Sequence, residues 1–455
     1  MEITTKLLDK FWNKYQKNLQ KYQNDRAYTK GKNPPILKGA KHRSPDNRIP
    51  VPLAKIAVDD MQGYAGRPGD RKVFWENKTD LKEDDNKDQK KESDFTNEMR
   101  KIYDFNNEPL ETSELFKDAL VFGVGYEVLW TTAGQGDSVL VAEFKKVNPS
   151  SIEIVYSNDI KPIKLAAFYF WKDNVTDAEF VDIYFPLKKE RWTKTNSTWA
   201  KAAKGDEIYP YKTVPVVPFR ANPDQDALFE AEKPLIDAHD TLLSKSVNEI
   251  DRFNALITLF PGKITKELKD KLQDIQVLEK LEEYEADKWP KFLEKNLAGI
   301  TDFYSGLADR LERLFHKSVK DPDMTSEAFA GGEQSGVAIA YKLLGLEFKA
   351  SELDTYFNQG IFERDNLIKD VIDATTQIVA DDYKTIVKTH RNLPVDEKVK
   401  LEIAIAMRGV GISVETILKF LPISIIENAE KELERMEANK QDLDKKTKTN
   451  ILEDD

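Results

Sequence analysis

Residues 321–347 read as a charged loop feeding one very long helix. They begin Asp321-Pro322-Asp323-Met324, turn at Gly331-Gly332-Glu333-Gln334-Ser335-Gly336, and continue Val337-Ala338-Ile339-Ala340-Tyr341-Lys342-Leu343-Leu344-Gly345-Leu346-Glu347. Pro322 lacks a backbone donor and the glycines relax the constraint on φ, so regular structure stops there. From Val337 to about Ala380 apolar residues keep helical spacing, interrupted only by Gly345 and Gly360. A helix of that length exceeds the globular norm and needs a partner along its flank.

Upstream, Leu307, Leu311, Leu314 and Phe315 mark a helix over about Thr301 to Val319. Before it lies a compact, highly charged segment from Lys263 to Lys295. An earlier helix, Glu230 to Leu256, stripes Leu235/Ile236, His239, Leu242/Leu243, Val247, Ile250 and Phe253, and Pro261-Gly262 breaks it. Downstream, Leu393 to Asn439 reads as two or three short helices separated by Gly409-Val410-Gly411 and Leu421-Pro422, followed by a charged tail expected not to order.

The first half has a different character. Leu7, Leu8, Phe11, Trp12, Tyr15 and Leu19 recur at helical spacing from Thr4 to about Tyr28. A loop over Thr29 to Pro45 and the run Asn47-Arg48-Ile49-Pro50-Val51-Pro52 lead into a second helix through Leu53, Ile56, Ala57, Asp60, Met61 and Tyr64. Glu76 to Asp94 is almost wholly charged or amide and reads as a solvated loop. Glu98 to Ala119 is helical again. Alternation then takes over at Tyr126, Val128 and Trp130, at Val139, Val141 and Phe144, at Ile152, Ile154 and Tyr156, and around Phe168-Tyr169-Phe170 and Phe180-Val181-Asp182-Ile183-Tyr184. These are short strands with hairpin-type connections. The fold class is α+β: mainly helical, with a small antiparallel sheet in the N-terminal half.

The chain has 455 residues, with 69 Lys+Arg against 80 Asp+Glu, a net charge of −11. It has no cysteine, which excludes disulfide scaffolds, thiolate metal sites and cysteine nucleophiles. No stretch reads as a membrane span or an apolar signal region. The acidic balance argues against tight holding of nucleic acid, though not against a protein that nucleic acid slides past.

Enzyme signatures are missing too. There is no Gly-x-x-x-x-Gly-Lys-Ser/Thr loop, and Gly123-Val124-Gly125 reads as a helix end. His42, His239, His316 and His390 are too scattered for a zincin motif, and His239 and His316 read as packing or interface residues. Asp59-Asp60, Asp84-Asp85 and Asp381-Asp382 are adjacent pairs whose members point apart on a helix, so they do not suggest a two-metal site. Lys188-Lys189-Glu190-Arg191-Trp192-Thr193-Lys194 reads equally as a weak nucleic-acid patch or as an edge strand with solvent-facing lysines.

Four stretches carry a resemblance. They are Asp46-Asn47-Arg48-Ile49…Ala54-Lys55-Ile56-Ala57-Val58-Asp59…Gly63-Tyr64…Gly66; Val121-Phe122-Gly123-Val124-Gly125-Tyr126-Glu127-Val128; Glu232-Lys233-Pro234-Leu235-Ile236-Asp237-Ala238; and the loop-then-long-helix unit ending Ser335-Gly336-Val337 to Glu347. With the order of elements from about residue 40 to 438, they resemble the portal protein of tailed bacteriophages, of the type found in long-tailed phages of Gram-positive hosts.

The resemblance implies a closed ring, typically of about twelve subunits, at one capsid vertex. Double-stranded DNA would be packaged and ejected through it without sequence specificity. Its implied partners are the terminase large subunit, a head-completion adaptor, and the scaffolding and major capsid proteins. It implies neither cofactor nor membrane, and assembly in the host bacterial cytoplasm. Residues 1–229 would form the wing, 230–258 and 300–319 the stem helices, 259–299 the clip, and 320–335 the tunnel loop. The wing–crown helix would be 336–383, the crown 392–438 and the tail 439–455.

Channel-loop candidates are Lys320, Asp321, Asp323, Met324, Glu327 and Phe329. The acids would limit adhesion to a duplex, while Met324 and Phe329 would form a soft constriction; Phe329 could equally anchor the loop to a neighbouring helix. The clip segment holds six Lys against eight acids between residues 261 and 290, which suits an exchangeable protein partner better than DNA. Two rivals stand beside this reading: a helical scaffold or adaptor that forms no channel, and an enzyme associated with packaging.

Overall fold

The computed structural model describes residues 2–38, 46–78, 93–133, 140–195, 198–254, 258–261, 277–280, 291–292, 297–323, 341–391, 397–420, 432–433 and 435–436. They divide into two units: one of residues 1–330 and 343–391, the other of 331–342 and 392–455.

In the first unit, helix α1 (Thr5–Thr29) begins at an N-cap, where the Thr4 hydroxyl accepts from the Leu7 N–H. Its apolar stripe lies across one face of a six-stranded sheet ordered β4-β5-β6-β7-β8, with β9 also on β7. These strands are β4 (Ile152–Tyr156), β5 (Lys164–Lys172), β6 (Glu179–Phe185), β7 (Lys188–Thr195), β8 (Thr198–Lys201) and β9 (Glu207–Ile208). Leu8, Phe168, Phe170, Val181, Ile183 and Trp199 are buried between the layers. Phe11 stacks on Phe168 at 4.6 Å and Tyr15 on Phe170 at 5.0 Å.

β7 is an interior strand, with β6 on one side and β8 and β9 on the other. That corrects the edge-strand reading of Lys188 to Lys194. Lys189 is buried and paired with Glu207, and the Lys194 ammonium sits 4.4 Å from the Trp12 ring. The lysine stems and aromatics that suggested a nucleic-acid patch are spent on packing.

After helix α2 (Pro34–Lys38), helix α3 (Leu53–Ala65) ends at Gly66, as its stop signal predicts. Glu98 to Ala119 is not one helix. Helices α4 (Asp94–Phe105) and α5 (Glu108–Phe122) are separated where Asn107 takes a left-handed φ of 51°. Asn106 accounts for the break by tertiary means: its amide donates to Ile102 O and Ala142 O and accepts from the Phe144 N–H. Gly123 closes α5 with φ 80°, and a Cβ there would meet the Gln225 carbonyl at 2.1 Å, so that glycine is a helix end.

Strand β2 (Val124–Ala133) follows at once and pairs antiparallel with β3 (Leu140–Val147) and β10 (Val216–Arg220). The long helix is α8, Leu344–Thr375, 32 residues. It crosses β10 so closely that a Cβ on Gly360 would lie 2.5 Å from Phe219. It ends sooner than expected. Residues 337–340 lie outside the described residues. At the other end Thr375 and Thr376 turn their hydroxyls back to Val371 O and Ile372 O, and the backbone leaves the helix.

The residues beyond α8 form strand β14 (Tyr383–Thr389), paired with β1 (Arg71–Asn77) in an antiparallel ribbon from Arg71↔Thr389 to Asn77↔Tyr383. Neither strand is foreseen by the sequence pattern. Helices α6 (Lys233–Asn254) and α7 (Leu297–Val319) flank β11 (Thr258–Pro261), β12 (Val277–Lys280) and β13 (Lys291–Phe292), a three-stranded sheet with β11 central. In the second unit, α9 (Glu397–Gly409) and α10 (Val414–Phe420) meet across a turn at Gly411, φ 87°. Ser413 caps α10 by accepting from the Thr416 N–H. Among the described residues no helix is long and apolar enough to cross a membrane.

Candidate channel segment and its supports

The helices α6 and α7 form an antiparallel pair that ends where the candidate loop begins. Ser318, near the end of α7, donates to the Glu232 carboxylate at the start of α6 over 2.7 Å. A carboxylate at that position also suits the free N–H groups of a helix N-terminus. Phe315 and Val319 of α7 are buried, as is Ile236 of α6.

An extended strap, residues 47–51, runs along the other side of α6. The Asn47 N–H donates to Asn248 Oδ1 at 2.7 Å, the Ile49 N–H to Ser244 Oγ at 2.9 Å and the Val51 N–H to Asp240 Oδ1 at 3.0 Å. Acceptors four residues apart on a helix rise about 6.0 Å, and donors two apart on an extended chain about 6.6 Å, so the two repeats nearly match. Pro50 and Pro52 hold the strap extended. Arg48 points the other way, to Leu37 O at 2.9 Å, and pairs with Asp46. Asn33 also donates to Asp240, which is fully buried.

The end of α7 is a tight left-handed cap. Lys320 has φ 62°, and the Asp321 N–H returns to His316 O at 3.0 Å. Glycine is the residue this position favours, because a Cβ strains the left-handed conformation. Lys320→Gly is expected to raise the stability of this chain by roughly 0.5–1 kcal/mol, read from the midpoint of urea unfolding at constant slope.

Of the sequence-derived candidates, Lys320 is exposed and Asp323 half-buried, whereas Asp321 is only 1% exposed. Asp321 faces its own chain, with His316 Nδ1 3.6 Å from its Oδ2. Met324, Glu327 and Phe329 lie outside the described residues. Asp59 and Asp60 do diverge. Asp59 takes Lys55 and Lys117, whereas Asp60 faces Asp321. His239 is buried against Asp240, a packing residue.

A buried ionic network holds α8 against the strands. Arg364, with a fully buried side chain, donates from Nε and Nη2 to the two oxygens of Glu127 at 2.8 and 2.6 Å. Its Nη1 reaches Thr112 at 2.9 Å and Glu108 at 3.3 Å. Glu127 thus keeps Arg364 charged despite burial. The adjacent Asp365 accepts from Trp75, Thr385 and Tyr103, so it joins β1, β14 and α4. A second set runs Arg71–Asp354–Arg391–Glu347, with the Tyr64 hydroxyl donating to Glu347.

Sequence reading missed these supports, although Glu127 inside an alternating apolar strand is a visible anomaly. No group of three or more metal-ligating side chains suited to a metal ion occurs among the described residues. The arrangement is one of scaffolding: a packed sheet-and-helix body, a braced helix pair, and a charged segment leaving its end.

A family model described as phage portal protein, SPP1 Gp6-like, matches residues 8–446. No curated protein matches the chain. Because the matched span covers nearly all of the sequence, the chain belongs to the phage portal protein family.

Proposed function

We propose that this portal protein closes into a ring of about twelve copies at one vertex of a phage capsid and serves as the conduit for double-stranded DNA. The ring docks the terminase large subunit during packaging and a head-completion adaptor afterwards, and contacts scaffolding and major capsid proteins during assembly. Its role is mechanical and carries no catalysis. The carrying observation is the family match over residues 8–446; the braced α6–α7 pair, with a charged segment leaving its end, supports it.

In this reading residues 1–229 are wing, 230–258 and 300–319 stem, 259–299 clip, 320–335 tunnel loop, 336–383 the wing–crown segment with α8 at its centre, and 392–438 crown, with 439–455 a tail. Negative-stain electron microscopy over a concentration series tests it. Rings with a central opening about as wide as a duplex, ~20 Å, support the conduit. Small compact particles at every concentration, also after co-expression with a scaffolding protein, overturn it.

The loop acids have a separate test. A channel must repel the duplex enough to let it slide, because added cations contact phosphates and release counterions. Asp323→Lys with Glu327→Lys is expected to cut the amount of nuclease-protected DNA per particle by roughly tenfold. Unchanged packaging would remove the acids from the mechanism. Asp321 is left out of this pair because a lysine at a buried position would disturb folding.

A further inference from the structure

Three polar side chains meet where α7 ends, and two of them, Asp321 and His316, are poorly satisfied. Asp321 is 1% exposed, yet among the described residues neither of its carboxylate oxygens has a hydrogen-bond partner of normal geometry. His316 Nδ1, also without one, lies 3.6 Å away. Asp60 faces them from α3. Burial first, and then the Asp321 carboxylate, push its carboxyl up to about 6. Asp321 also raises His316, helped by Asp323 and Glu312 and opposed by burial.

The surrounding charges are otherwise engaged. Asp59 of α3 is held by Lys55 and by Lys117 of α5, and Glu232 of α6 by Ser318. On α8, Glu347 accepts from Tyr64 and Arg391, and Lys349 pairs with Glu352. Lys320 is turned outward beside Gly345. Two carboxylates brought together, one buried and one half-buried, repel unless one holds a proton. A proton on Asp60 removes that repulsion and supplies a donor to Asp321. A proton on His316 adds an ion pair.

We propose that Asp60, Asp321 and His316 form a proton-operated latch that pins the first residues beyond α7 to α3, closed while the cluster holds its protons and loosened when it loses them. The latch sits at the root of the segment assigned above to the channel, but its existence does not depend on that assignment.

The sign follows from the direction of both shifts. The folded state binds these protons more tightly than the unfolded chain, so their contribution is complete below the ordinary acidities. For Asp60 it is lost as pH rises through about 6. For His316 it is lost above the ordinary histidine value.

Hydrogen exchange followed by mass spectrometry on the purified full chain tests the latch, with rates corrected for the intrinsic effect of pH. Peptides covering residues 316–323 are expected to exchange about tenfold faster, relative to intrinsic rates, at about pH 8 than at about pH 5. Asp60→Asn carries a permanent donor and no charge; it is expected to remove the lower part of the profile and to leave the rise that follows His316. His316→Gln is expected to lose only the upper part of the profile, and Asp59→Asn to leave it intact. Wild-type exchange in 316–323 that does not change with pH, or an Asp60→Asn profile identical to wild type, overturns the latch. Neither result bears on whether rings form.

Discussion

Arg364→Ala is expected to lower the unfolding free energy by about 3–5 kcal/mol, the largest effect of any single change considered for this chain. The guanidinium and the Glu127 carboxylate are both fully buried, so removing the cation leaves an anion with no solvent to turn to. Thr112 and Glu108 lose their shared donor as well. The companion variant separates that penalty from the worth of the pair. Arg364→Met with Glu127→Leu removes both charges and is expected to recover most of the loss, to within about 1–2 kcal/mol of wild type. Guanidinium unfolding followed by circular dichroism measures both. If the double variant is as unstable as the single, the network is needed for more than charge balance, because it also aligns α8 with β2.

Asp240→Ala is expected to cost about 2–4 kcal/mol, since two buried donors lose their acceptor at once. They are the Val51 N–H and the Asn33 amide. The effect should be local in its second consequence: exchange should quicken at the amides of residues 47, 49 and 51, while those of β5 and β6 hold. Asp240→Asn keeps one acceptor oxygen and is expected to lose roughly half as much. An alanine variant with wild-type stability and unchanged strap exchange would show that the ladder on α6 carries no energy. Ser244→Ala, which removes only the acceptor of the Ile49 N–H, should fall near ~1 kcal/mol.

Much of the fold is legible because it rests on neighbours in the chain. The apolar stripe of α1 and the alternation in β2, β5 and β6 come from residues two to four positions apart, and Gly123 stops its helix by a left-handed φ. What stays hidden depends on partners far along the chain. β1 and β14 are each seven residues long, and their own patterns are unremarkable until Val73 meets Val387 and Trp75 meets Asp365. The division between α4 and α5 likewise waits on Asn106 reaching β3. Lys188 to Lys194 looked solvent-facing because composition does not show that β8 and β9 cover the strand's second edge.

The candidate loop divides in the same way. Its acid-rich composition, its Pro and Gly signals and its place between two helices are properties of the sequence, and the family match extends across it. Which of its acids faces water is not. Asp321 and Asp323 are two residues apart and alike in sequence terms, yet one is sealed against His316 and the other half-buried. The sequence by itself determined most of the helices, the hairpin strands of the first half and the family, because hydrophobic periodicity and turn residues act over a few positions. Only the tertiary structure decided where charges are buried and which of them are paired. Desolvation and Coulomb attraction depend on distance through space, and chain separation says nothing about it.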